Sequence, residues 1–160
     1  MLLEGADAIV EEVFGELIAD GRAKLVREVG EMKSPNHSSG SQAGRELVER
    51  WADFSIEPLR EDAAPLWFSF NGFGNQVDLA IANSSWDHWE DDSRDLLGFV
   101  RDACKAARDG LVLEQETLVD GERVGYLAEF PSAGGRPWEV EVNDFRRGAP
   151  ETVGHTFHRY

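Results

Sequence analysis

"LWFSFNGFGNQVDLAI", residues 66–81, decides the fold class, because apolar residues recur at every second position on both sides of a glycine-rich centre. Leu66, Phe68 and Phe70 alternate with Trp67, Ser69 and Asn71, and Val77, Leu79 and Ile81 alternate with Asp78, Ala80 and Ala82. A period of two puts one set on a buried face and the other outward, as paired strands require. With Gly74-Asn75 as a two-residue turn, Phe70 faces Leu79 and Phe68 faces Ile81, so register and apolar face agree.

The same arrangement follows downstream. "LVLEQETLV" and "ERVGYLAEF" flank Asp120-Gly121, a dipeptide suited to a type I′ hairpin turn. In this reading Leu111, Leu113, Thr117 and Val119 share a face with Val124, Tyr126, Ala128 and Phe130. After "PSAGGRP", the residues Trp138, Val140 and Val142 form the apolar side of a further strand. Between the hairpins, Ser93 is a good helix N-cap, Leu96, Leu97, Val100, Ala103, Cys104 and Ala107 make an apolar stripe, and Gly110 supplies the stop.

Towards the N-terminus the period becomes helical. Leu2, Leu3, Ala6, Ile9, Val10, Val13, Phe14, Leu17 and Ile18 recur every three or four residues. Ala23, Leu25, Val26 and Val29 extend a helical stripe to about Met32, and a second helix is expected from Ala43 to Phe54. "KSPNHSSGSQAG" between them breaks all periodicity and reads as a surface loop.

The expectation is an α+β fold: N-terminal helices, then an antiparallel sheet of two hairpins plus a further strand, with a central amphipathic helix packed on one face. The 160 residues fit one domain, with a helical part over 1–60, a β-β-α-β-β-β part over 66–145 and an unassigned tail over 146–160.

Charge narrows the function. The 31 Asp and Glu against 16 Lys and Arg give a formal net charge of −15, which repels phosphate backbones and anionic membranes. Nucleic acid and lipid are therefore not expected as partners, whereas a basic protein is. The single cysteine, Cys104, permits no intrachain disulfide and sits on an apolar stripe as a small hydrophobe. "MLLEGADAIVEEVFGEL" lacks the basic start of a signal peptide, so the cytoplasm is the expected location.

No catalytic, cofactor or metal motif emerges. His155 and His158 in "GHTFHRY" lack further zinc ligands, and "GSQAG" beside His37 has no central serine for a nucleophile elbow. The G-x-G of "NGFGN" lies between strands, where a phosphate loop would lead into a helix.

The remaining candidate is "SSWDHWEDDSRD", residues 84–95. Trp86, Asp87, His88, Trp89, Glu90, Asp91 and Asp92 lack the spacing of a calcium loop. They read either as tryptophans anchoring the 93–109 helix with acids at its positive end, or as an aromatic and acidic surface for a basic partner. A small acidic protein that masks a basic partner, such as an immunity protein opposing a bacterial toxin domain, is the leading expectation. A homo-oligomer using exposed Trp67 or Trp138, and an enzyme whose site assembles only in space, are the alternatives.

Overall fold

The computed structural model describes residues 2–34, 47–70, 76–89, 93–143 and 147–160. The α+β class holds. Helix α1 (Leu2–Ala19) is followed by strands β1 (Ala23–Ser34), β2 (Leu47–Pro58), β3 (Leu66–Phe70), β4 (Gln76–Ile81) and β5 (Ser84–Trp89). Helix α2 (Ser93–Asp109) then leads to β6 (Leu113–Val119), β7 (Glu122–Phe130), β8 (Trp138–Asn143) and β9 (Glu151–Thr156). The strands divide between a five-stranded antiparallel sheet in chain order, β1-β2-β3-β4-β5, and a four-stranded one ordered β8-β7-β6-β9.

Only the first of the expected N-terminal helices forms. Residues 23–34 and 47–58 are strands, paired from Ala23↔Pro58 to Ser34↔Leu47. Two features hide their period. Arg27 occupies an inward position of β1, clamping Asp7 of α1 with Nε–Oδ1 2.7 Å and Nη2–Oδ2 2.8 Å, with its guanidinium 5.8 Å from the centre of the Phe54 ring. In β2 the alternation Ala52, Phe54, Ile56 follows helix-forming residues, and strand pairing overrides that local preference.

The hairpin over 66–81 forms with its faces as expected but a different register. Phe68 pairs with Leu79 and Phe70 with Val77, which leaves the apolar face intact because a shift of two residues preserves side. Gly74 and Asn75 lie outside the described residues. The second turn forms at Asp120 (φ 54) and Gly121 (φ 79), the paired positive φ values of a type I′ turn.

In β6 the inferred face is off by one: Glu114 is buried and Leu113 is 48% exposed. A bulge between Thr117 and Leu118 then switches the phase and returns Val119 to the interior. Residue 146 of the expected 146–160 tail lies outside the described residues; within 147–160 strand β9 pairs with β6 from Leu113↔Thr156 to Leu118↔Glu151. Beyond it Tyr160 packs against Phe14 with the rings tilted at 42° and their centroids 5.3 Å apart, and its hydroxyl donates to the Ala64 carbonyl at 2.6 Å.

Both helices cover the same face of the five-stranded sheet. Phe54, Ile56, Leu66, Phe68, Leu79 and Ile81 point into a core completed by Ile9, Phe14, Leu96 and Phe99 of the helices. Helix α2 also meets β7, so one core runs under both sheets.

Candidate interaction surface

With the helices on one side, the other face of the five-stranded sheet is left uncovered by any element among the described residues. Its side chains follow from the register. One row across the strands reads Val26, Ser55, Trp67, Ala80, Ser85. The next reads Glu28, Asp53, Ser69, Asp78, Asp87.

Trp67 stands on the central strand, 37% exposed, between the small residues Ser55 and Ala80. Trp51 pairs with Gly30, where an added Cβ would lie 2.2 Å from the indole, so that indole lies flat over β1. Beside Trp67 runs the row of carboxylates. Glu28 is directly opposite Asp53 and Asp78 directly opposite Asp87, with neighbouring strands about 4.8 Å apart. Like charges placed opposite one another destabilise a sheet.

Asp78 combines this repulsion with partial burial. Its carboxyl is held above the usual carboxylate range, first by partial burial and further by the charge of Asp87, against a hydrogen bond donated by Gln76 Nε2 at 2.6 Å. A carboxyl raised in the folded state favours folding when protonated and opposes it once ionised. Asp78→Asn is therefore expected to raise the melting temperature at pH 7, with the gain closing as pH falls through the carboxylate range. Thermal melts of both proteins between pH 3 and 7 check this, and an unchanged or lowered melting temperature at pH 7 would contradict it.

The residues singled out in 84–95 are split by strand geometry. Trp86 points inward, 7% exposed, with its ring 5.3 Å from Phe130 and edge-on, so it is a core residue and not an exposed aromatic. His88 is half-buried, stacked on Phe99 at 4.5 Å and meeting Trp138 edge-on at 4.9 Å. Asp87 alone of these three faces outward, into the acid row. Trp89 ends β5, and Glu90, Asp91 and Asp92 lie outside the described residues.

Glu114, His155 and His158 have structural partners. Glu114 accepts from the Asn83 amide at 2.9 Å, Asn83 Nδ2 at 3.2 Å and Ser84 Oγ at 2.6 Å, which bolts the β4–β5 turn to β6. His155 Nε2 lies 3.2 Å from Glu116 Oε2 and His158 Nε2 3.6 Å from Asp62 Oδ2, so the histidines face different acids and do not converge. Cys104 is fully buried and burial pushes its thiol far up, as an inert core residue requires.

Among the described residues no group of three or more His, Cys, Asp or Glu side chains is placed to hold a metal. A surface depression of about 580 Å³ is lined by Asp102, Ser132, Arg136, Trp138 and Glu139. There Asp102 already accepts from Trp138 Nε1 at 3.0 Å and the Ala133 amide at 3.2 Å.

Compared with protein families, curated proteins and solved structures, the chain matches none. No helix among the described residues is long and apolar enough to cross a membrane.

Proposed function

We propose that the protein binds a basic partner protein on the open face of its five-stranded sheet, in the manner of an immunity protein that masks a toxin domain. The observation that carries this reading is the exposed Trp67 at the middle of an uncovered face, beside Glu28, Asp53, Asp78 and Asp87 in register. A central aromatic among small residues has the anatomy of a binding hot spot, and the acids supply steering. The destabilising row makes sense if a partner's cations neutralise it.

Trp67 also favours a second reading, a homo-oligomer through the same face. A two-fold contact would, however, set the acid row against its own copy, which argues for a basic partner instead.

The test compares the wild type with Trp67→Ala, with Asp53→Lys/Asp78→Lys and with the distant exposed control Leu113→Ser, each immobilised and offered the same cell extract. A basic protein retained by the wild type and the control, and lost from both face variants, is the expected outcome. With that protein purified, Trp67→Ala should hasten dissociation on the order of 30-fold, the equivalent of about 2 kcal/mol. The charge reversal should chiefly slow association, as should raising salt from 0.15 M to 1 M, which shortens the Debye length from about 8 to about 3 Å. Equal retention on all four proteins would remove this face from the interface, and a larger sedimentation mass abolished by Trp67→Ala would favour the oligomer.

A further inference from the structure

We propose that the residue this face anchors is an arginine of the partner, its guanidinium laid on the Trp67 indole and hydrogen-bonded between Asp53 and Asp78. The inference rests on the basic-partner reading and adds to it the choice of guanidinium over ammonium.

The register sets the geometry. Trp67 pairs with Ser55 on one side and Ala80 on the other, while Ser69, its neighbour on the same face of β3, pairs with Asp53 and Asp78. Each aspartate is thus a diagonal neighbour of Trp67, about 7–8 Å away across the sheet and within reach of a long side chain. Ser55, Ser69 and Ala80 are small, which leaves room beside the ring for a flat group. Arginine fits this shape: it is planar, stacks on aromatic rings, offers donors in a fork, and sheds water more readily than lysine.

The molecule builds the same trio elsewhere with its own arginines. Arg27 lies 5.8 Å from the Phe54 ring centre while it clamps Asp7, and Arg123 lies 5.5 Å from the Tyr126 ring centre while its Nη1 meets Glu116 Oε1 at 3.3 Å. The open face has the aromatic ring and the carboxylates but no arginine. Among the described residues its one basic position is Lys24, at the edge strand and opposite Glu57. What completes two trios from within is absent from the third.

The experiment uses acetyl-Gly-Arg-Gly-amide and its lysine counterpart, titrated at low salt into the isotope-labelled full chain. The Trp67 indole resonance is assigned by its loss in Trp67→Phe. The arginine peptide should shift that indole and the amides of residues 53 and 78, with half-saturation at a concentration about fivefold below that of the lysine peptide. Asp53→Asn/Asp78→Asn should erase the preference. Equal response to lysine at these residues, or an arginine response confined to other residues, would overturn the arginine assignment and leave the basic-partner reading in place. No response of this face to either peptide would count against both.

Discussion

Phe68→Ala is expected to remove about 3–5 kcal/mol of stability, a large share of the roughly 5–15 kcal/mol of a whole domain. The ring is fully buried at the centre of the sheet, stacked on Phe54 with centroids 4.7 Å apart and edge-on to Phe70 at 5.9 Å. Its loss removes transfer energy and leaves a cavity against α2 that the two sheet neighbours cannot fill. Leu79→Lys, directly opposite, should be worse, because it sets an unpaired charge at a position only 1% exposed. Ser69→Ala, one residue from Phe68 but on the open face, should change stability by no more than about 0.5 kcal/mol. Urea denaturation followed by circular dichroism measures all three, and similar midpoints for the inward and outward variants would contradict this assignment of the sheet's two faces.

Glu114→Ala should cost about 2–4 kcal/mol, since a buried donor left open costs about 1–3 kcal/mol and this carboxylate serves three donors. Ser84→Ala removes one of those donors, so the double variant should be less destabilised than the two single losses added together. The denaturation midpoints of the four proteins close this cycle. Strict additivity would mean that Glu114 and Ser84 are not coupled and that the β4–β5 turn is held by something else.

The pattern of success and failure in the sequence has physical causes. Phe68, Leu79, Ala128 and Trp138 were legible because each belongs to a strand whose apolar side repeats without interruption. Arg27 breaks that repeat in β1 by covering core with its stem while keeping its charge on Asp7, so the sequence of the strand reads as helix. Glu114 broke it in β6, since nothing in "LVLEQETLV" says that a carboxylate is inside; the donors that keep it there lie thirty residues away in the chain. The binding surface suffered most. Glu28 and Asp53 cannot be aligned with Asp78 and Asp87 while 23–32 and 43–54 read as helix, and without a strand through 84–89 the sequence leaves Trp86 open between a packed anchor and a partner-facing aromatic, of which the structure excludes the second. The alternation in 66–81 does place Trp67, Ser69, Asp78 and Ala80 on this outward side, whereas Asp87 is legible only as one acid of the 84–95 cluster. Trp51 would have joined them had the alternation Ala52, Phe54, Ile56 been given priority over the helix formers before it.

Phe99 carries a consequence for how the molecule comes apart. Its fully buried ring touches His88 of the five-stranded sheet, and on the four-stranded side Phe130 at 5.7 Å and Trp138 at 4.9 Å. Neither sheet can open without uncovering this ring, so neither can remain as a stable remnant after the other is lost. The chain should therefore behave as a single cooperative unit: slow amide protons of β3 and β7 would exchange at one shared free energy, and the calorimetric and van't Hoff enthalpies of melting would coincide. Capture of a partner on the far side of β3 would then be felt as protection throughout β7, although no atom there is touched.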